Sequence, residues 1–100
     1  MTGNAIKNHL GENLRRARKR AGLSQEELSV LALLHRTAVG QLERGERVAR
    51  ADTLVKLAGG LSIPVGELFD GLSWEPGSIR AGGFEIAGAD GHSEDAGEEP

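Results

Sequence analysis

The stretch of residues 24–45 constrains the fold of this chain more than any other part of its sequence. Ser24 is followed three residues later by Glu27, a capping box that marks the start of a helix. Apolar residues then recur at helical spacing, at Leu28, Leu31 and Ala32. A second helix is predicted at about 36–44, because Gly45 lies where a left-handed C-cap is expected. The stretch therefore predicts two short helices joined by a tight turn.

The outer face of the second predicted helix carries only small and polar groups. At 100° per residue, Val39, Leu42 and the stem of His35 share the inner face. The outer face carries Arg36, Thr37, Gly40, Gln41 and Arg44. Guanidinium, amide and hydroxyl groups suit the base edges and phosphates of a nucleic acid. The composition of this face therefore favours DNA binding.

Three segments resemble a known family in the order of their residues. They are S-Q-E-E-L from Ser24, H-R-T-A-V-G-Q-L-E-R-G from His35 and T-L-V-K-L-A from Thr53. They resemble the Cro and lambda-repressor-like helix-turn-helix regulators, also called the XRE type, and the resemblance spans about 10–69. It implies an all-α, five-helix lambda-repressor-like domain at 9–71. It also implies a transcriptional regulator that binds double-stranded DNA sequence-specifically.

The resemblance implies that the second helix of the motif enters the major groove with its N-terminal residues on base edges. Arg36 is the main expected base reader, because its guanidinium fits guanine in a bidentate pair. Gln41 suits adenine, while Thr37 and Ala38 are expected near thymine methyl groups. Gly40 costs about 1 kcal/mol relative to alanine inside a helix. Either it allows a close approach to the groove floor or it has no function.

A second set of residues is predicted to contact phosphates. The resemblance implies this role for Gln25, at the N-terminus of the first helix of the motif, where unpaired N–H groups favour anions. Three arginines at and after the end of the second helix either contact phosphate or lie in a solvated loop: Arg44, Arg47 and Arg50. An earlier helix predicted at 9–21 has a basic face that includes Arg16 and Lys19. That face is either solvated or in contact with phosphate.

Arg18 differs from its basic neighbours because it lies near the apolar stripe of the first helix. The resemblance implies an ion pair between Arg18 and Glu43. This pair links the first helix to the second helix of the motif, which we call the recognition helix. If the pair is partly buried, removal of one partner should cost several kcal/mol by stranding the other charge. If the pair is exposed, it is worth about 0–1 kcal/mol.

Leu33 stands in the turn where the family usually has glycine. A left-handed conformation costs a non-glycine residue about 1–2 kcal/mol. We therefore expect the turn to be rewound and Leu33 to be partly exposed.

The composition excludes several kinds of chemistry. Hydrophobic residues make up 38% of the chain but aromatic residues only 3%, so the core must be aliphatic. The absence of cysteine excludes thiolate catalysis, thiolate metal sites and disulfides. The histidines His9, His35 and His92 lie in separate segments without a catalytic or metal-binding spacing. We therefore expect no enzyme activity, no metal and no cofactor.

The net charge of −3 conceals an asymmetry between the two parts of the chain. Residues 1–63 carry 11 Lys or Arg against 6 Asp or Glu, whereas residues 64–100 carry 1 against 9. The part that is expected to face phosphate is therefore basic, and the acidic balance belongs to the C-terminal part.

The two ends of the chain are expected to differ from its helical centre. Residues 1–8 are predicted to form a flexible arm. Residues 72–87 alternate apolar and polar groups and predict an antiparallel strand pair, which is marginal in water without support. Trp74 and Phe84 either contact a second copy in a homodimer or cover the core of their own chain. Residues 88–100 predict a disordered acidic tail.

The acidic tail keeps a second function open, an antitoxin-like or adaptor module that binds a protein partner through its C-terminal segment. For the regulator, the resemblance implies a homodimer on two half-sites. The longest apolar run is far short of the roughly 20 residues that span a bilayer, and no signal peptide is visible. We therefore expect no membrane partner, and a cytoplasmic protein associated with the nucleoid.

Overall fold

Helices and one strand pair make up the part of the chain that this computed structural model describes, residues 2–77 and 82–86. The α-helices are α1 (Thr2–Arg20), α2 (Gln25–Leu31), α3 (Ala38–Glu43) and α4 (Ala51–Leu61), and a 3-10 helix covers Val65–Phe69. Strands β1 (Leu72–Pro76) and β2 (Gly82–Ile86) pair antiparallel, with Trp74 opposite Phe84. The prediction of a small helical domain followed by a strand pair is confirmed. The acidic segment 88–100 lies outside the described residues.

One aliphatic core holds the helices together. Leu28, Val39 and Leu57 are completely buried, one on each of α2, α3 and α4. Burial of a side chain of this size stabilises a fold by about 1.5–3 kcal/mol relative to exposure. The remaining members of the cluster are Leu14, Ala17, Ala32, Leu42, Ala58, Leu61 and Leu68. The core is therefore aliphatic, as the low aromatic content predicted, and it joins all four α-helices and the 3-10 helix.

Helix α1 is longer than the sequence predicted. It begins at Thr2 rather than near His9, so residues 2–8 extend the helix and the predicted arm is wrong for them. The reason is Ile6, which lies one helical turn before Leu10 and is half-buried like Leu10. It extends the apolar stripe of α1 by a full turn.

The close approach of α1 to α3 requires a glycine at position 11. A Cβ atom on Gly11 would lie 2.5 Å from the carbonyl oxygen of Leu42 and 2.6 Å from that of Glu43. Both atoms belong to the backbone, so they cannot move aside as a flexible side chain can. Gly11 therefore fixes the distance between α1 and the C-terminal end of α3.

Asn13 ties α1 to the end of the 3-10 helix. Its side chain is only 6% exposed, and its Nδ2 donates to the carbonyl oxygens of Leu68 and Asp70, each at 2.9 Å. The ring nitrogen Nε2 of His9 also lies 2.9 Å from the Asp70 carbonyl oxygen. These side chains satisfy carbonyl groups that a short helix leaves without partners at its C-terminal end.

The predicted fifth helix is a 3-10 helix of five residues. Only Leu68 is buried in it, whereas Val65 and Phe69 are 38% and 41% exposed. The segment is confined between Pro64 and Gly71, which has a φ of 86°.

Two other apolar residues of the helices are exposed. Val55 is 59% exposed because Leu54, Leu57, Ala58 and Leu61 already complete the inner stripe of α4. Leu31 is 56% exposed at the end of α2. No helix within 2–77 is long and apolar enough to cross a membrane.

The turn between α2 and α3 keeps its left-handed residue. Leu33 has a φ of 55°, so the predicted rewinding is wrong, and its side chain is 83% exposed. Burial of the Leu33 side chain therefore does not offset the strain in its backbone.

Leu33→Gly should stabilise the protein by about 0.5–1 kcal/mol. Removing the left-handed strain gains about 1–2 kcal/mol, and the greater chain entropy of glycine offsets about 0.5–1 kcal/mol of this gain. Urea denaturation should show a higher midpoint with an unchanged slope. Val30→Gly is the matched control, since Val30 is also exposed but lies inside α2, and it should lower the midpoint. A lower midpoint for Leu33→Gly would contradict the strain.

Candidate nucleic-acid interface

A buried ion pair fixes the recognition helix to α1. The Nε of Arg18 donates to Oε2 of Glu43 at 2.6 Å, and its Nη2 donates to Oε1 at 3.1 Å. The two side chains are 11% and 4% exposed. A third donor, Nη1, binds the carbonyl oxygen of Leu23 at 2.8 Å. The hydrogen bond to Glu43 raises the pKa of Arg18 above its ordinary value against the opposing effect of burial.

Gln25 joins the same carboxylate from α2. Its Nε2 donates to Oε1 of Glu43 at 3.0 Å. The Glu43 carboxylate therefore accepts hydrogen bonds from α1 and α2 while it belongs to α3. Helix α1 and the two helices of the motif therefore meet at this one buried carboxylate, which accepts three hydrogen bonds. We call these residues, Arg18, Gln25 and Glu43, the Glu43 junction.

Helix α3 begins at Ala38, later than the sequence predicted, so Arg36 and Thr37 precede it. The backbone N–H of Thr37 donates to Nδ1 of His35 at 3.2 Å, and the Thr37 hydroxyl lies 3.0 Å from the same nitrogen. The Arg36 side chain is 77% exposed, with its Nη2 3.9 Å from a carboxylate oxygen of Glu26. The turn is thus held by His35, while Arg36 projects into solvent.

Gln41 and Arg47 lie next to each other on the exposed side of α3. Nη1 of Arg47 donates to Oε1 of Gln41 at 3.1 Å. Arg47 is exposed and Gln41 is half-buried. The structure therefore places Arg47, which was predicted to bind phosphate, within hydrogen-bonding distance of Gln41, which was predicted to read a base.

Two of the predicted base readers are buried. Ala38 is only 5% exposed, so little of its side chain is open to a thymine methyl group. Gly40 is buried, and the side chains of Gln25 and Arg44 lie over it. The predicted base readers whose side chains reach the surface are Arg36, Thr37 and Gln41.

Two of the three arginines at and after the end of α3, Arg44 and Arg50, are exposed and paired with neighbouring carboxylates. Arg44 donates to Glu46 at 2.7 and 3.2 Å, and Nε of Arg50 lies 3.3 Å from Oδ1 of Asp52. The hydrogen bond from Arg44 lowers the pKa of Glu46 and raises that of Arg44 itself. Exposed pairs of this kind are weak, so a phosphate can replace the carboxylate.

The basic face of α1 is divided. Lys19 is exposed at the C-terminal end of the helix. Arg16 donates to Oδ1 of Asn13 at 2.5 Å and lies on the side of α1 that faces the 3-10 helix, near Glu67 and Asp70. Arg16 therefore lies on a different side of α1 from Arg18, which bonds Glu43 of α3.

The two aromatic residues of the strand pair occupy opposite positions in the ladder. Trp74 on β1 is paired with Phe84 on β2, and the Trp74 side chain is 54% exposed. Strand β2 also contacts α1. The described residues contain no group of three or more His, Asp or Glu side chains that could hold a metal ion.

The sequence did not point to the residues that set the helices in place, Gly11, Asn13 and His9. The position of Asn13, a polar residue directly before Leu14 of the apolar stripe, is a weak indication of its role. Nothing in the sequence indicates the role of Gly11, since that role depends on where α3 lies.

A model of the Helix-turn-helix family HTH_3 matches residues 14–68. The chain belongs to this family. It is 43% identical over 74 residues to the control protein C.SmaI of Serratia marcescens, covering 72% of this chain and 88% of that protein. It is 36% identical over 73 residues to the control protein C.MunI of a Mycoplasma species, covering 72% and 99%.

Among solved structures, the chain is similar to the restriction-modification controller protein C.AhdI from Aeromonas hydrophila. The two are 43% identical with a TM-score of 0.64, over 65% of this chain and 98% of the other. The predicted family and the prediction of a DNA-binding transcriptional regulator are confirmed.

Proposed function

We propose that this chain is a homodimeric controller of a restriction-modification system that recognises its DNA site through the N-terminal end of α3. One observation carries the proposal: hydrogen bonds hold α3 in place, whereas the Arg36 side chain that precedes it is open to solvent. The Glu43 junction fixes α3 to α1 and α2, whereas the Arg36 side chain is 77% exposed. The similarity to the restriction-modification controller protein C.AhdI from Aeromonas hydrophila, at 43% identity, supports the restriction-modification role.

Each exposed group has a chemically suitable DNA partner. Arg36 pairs with a guanine, Gln41 with an adenine, and Thr37 lies beside them at the base edges. Contacts to the sugar-phosphate backbone come from Gln25, Arg44, Arg47, Arg50 and Lys19. The last four are exposed cations, so binding should weaken strongly with salt. A regulator of this kind acts in the cytoplasm, on the nucleoid.

The strand pair is the proposed contact between two copies. Two strands alone are marginal in water, and this pair leaves Trp74 54% exposed. The strand pair of a second copy would cover the exposed Trp74 symmetrically, and Phe84, which stands opposite Trp74 in the ladder, is the other proposed contact residue. The two reading surfaces would then bind half-sites about 34–36 Å apart on a near-palindrome.

Light scattering and footprinting test the dimer. We expect a mass of twice 10.6 kDa in solution and a footprint that covers two half-sites. Trp74→Glu should give a monomer with weak protection, because a buried carboxylate in the interface would lack a partner. Val48→Glu is the control, since Val48 is 70% exposed in the loop after α3 and should leave the mass unchanged. A wild-type monomer that protects one half-site would contradict the proposal.

The charge of the C-terminal part supports a second candidate, an adaptor that binds a protein partner. Residues 64–100 carry 9 Asp or Glu against 1 Lys or Arg. Deletion of residues 87–100 separates the two functions. Tighter and more salt-sensitive DNA binding would indicate that the segment competes with DNA for the basic surface. Loss of a co-purifying protein would instead support the adaptor.

A further inference from the structure

Gly40 provides the surface on which the Gln25 side chain lies. A Cβ atom at position 40 would lie 3.2 Å from Oε1 of Gln25 and 3.1 Å from Nη1 of Arg44. Such distances are shorter than an ordinary van der Waals contact, so an added methyl group would require the Gln25 amide and the Arg44 guanidinium to shift by a few tenths of an ångström. The bare backbone of α3 at this point therefore lets the amide approach closely.

The opposite end of the same amide is held by the Glu43 junction. Its Nε2 donates to Oε1 of Glu43 at 3.0 Å, and Arg18 holds this carboxylate through two hydrogen bonds of 2.6 and 3.1 Å. A carboxylate only accepts hydrogen bonds, so it selects the nitrogen end of the amide and turns the oxygen toward Gly40. The amide is thus fixed in both position and orientation.

We propose that Gly40 and Glu43 are positioning residues that present the Gln25 amide to a DNA phosphate. The inference rests on the proposed DNA binding. The amide nitrogen carries two hydrogens, of which the bond to Glu43 uses one, and the other donates to the phosphate oxygen. Because the side chain is already ordered, less conformational entropy is lost when DNA binds.

The positioning role explains why a glycine occurs at position 40, inside a helix, where glycine is unfavourable. Gly40 lies inside α3, which has only six residues, and glycine is among the poorest residues in a helix interior. An alanine at this position would favour the helix but disturb Gln25. Stability and DNA affinity are therefore expected to change in opposite directions, which a purely structural role would not produce.

Gly40→Ala tests this expectation against a matched control. We expect the Tm to stay the same or rise, while the Kd for duplex DNA rises about three- to tenfold through loss of one charge-assisted contact. Gly59→Ala is the control, because Gly59 also lies inside a helix but has no atom within 4 Å of an added Cβ. Its Tm should rise by about 4–8 °C with unchanged DNA affinity. A Gly40→Ala variant that binds DNA as well as wild type would overturn the inference.

A double-mutant cycle identifies the residue through which Gly40 acts. In a Gln25→Ala background, Gly40→Ala should cause no further loss of affinity, because the amide is already absent. The same loss in both backgrounds would show that Gly40 approaches the DNA itself or acts through Arg44, and would overturn the inference.

The side-chain amide resonance of Gln25 provides a readout without DNA. In the free protein it should shift in Gly40→Ala and stay unchanged in Gly59→Ala. An unchanged Gln25 resonance in Gly40→Ala would overturn the positioning role. If wild type binds no duplex while this resonance shifts as expected, the proposed function has failed and the contact between Gly40 and Gln25 remains.

Discussion

Glu43→Ala is expected to lower the free energy of unfolding by about 3–5 kcal/mol. The Glu43 side chain is 4% exposed and accepts hydrogen bonds from Arg18 and Gln25. Its removal leaves the Arg18 guanidinium, 11% exposed, without a counter-charge in a region from which water is largely excluded. Because small domains are stable by only about 5–15 kcal/mol, much of the stability should be lost. Urea denaturation followed by circular dichroism measures the change.

Two further variants separate the ion pair from a general effect of charge removal. Glu46→Ala removes an exposed carboxylate that is also bonded to an arginine, and it should leave the denaturation midpoint nearly unchanged. The double variant Arg18→Met/Glu43→Leu should recover much of the loss, because no buried charge is then stranded. Equal midpoints for Glu43→Ala and Glu46→Ala would contradict the junction. If Glu43→Ala does not fold, the recovery of folding in the double variant carries the test.

Arg36→Ala is expected to remove base preference at one position of each half-site, a loss of about 1–3 kcal/mol in discrimination. The Arg36 side chain is 77% exposed and directly precedes Thr37, the N-cap of α3. Its nearest carboxylate, on Glu26, is 3.9 Å away, so little holds the guanidinium back from a guanine. Binding to a panel of single-base variants of the selected site measures the loss.

Arg50→Ala is the matched control for Arg36→Ala. Arg50 is 80% exposed and is paired with Asp52, and among the described residues it contacts none of the proposed base readers. As a phosphate contact, it should weaken binding to all sequences alike and reduce the salt slope by about 1. Arg47 is less suitable because it binds Gln41 directly. The same loss of selectivity in both variants would contradict the separate roles.

The parts of the fold that depend on neighbouring residues in the chain could be predicted from the sequence. The capping box is an example: Ser24 Oγ accepts from the backbone N–H of Glu27 at 3.0 Å, and Glu27 Oε1 accepts from that of Ser24 at 2.8 Å. Gly45 has a φ of 71°, as its place after the recognition helix indicated. Both features need only a spacing of a few residues.

The parts that depend on distant residues could not be predicted from spacing alone. The role of Gly11 depends on the carbonyl groups of α3, and that of Asn13 on the carbonyl groups of residues 68 and 70. Periodicity placed Arg16 on a basic face but did not show that its side chain lies near the 3-10 helix. The partner of Arg18 came from the family resemblance, since nothing in its own segment indicates Glu43.

Selection from a pool of random duplex DNA, in dilute salt and with bulk competitor, tests the central claim that Arg36, Thr37 and Gln41 read base pairs. Wild type should enrich one near-palindromic sequence with two half-sites, and Arg36→Ala should enrich the same sequence with one position in each half-site left open. A folded wild-type chain that enriches no duplex over the competitor would contradict the account.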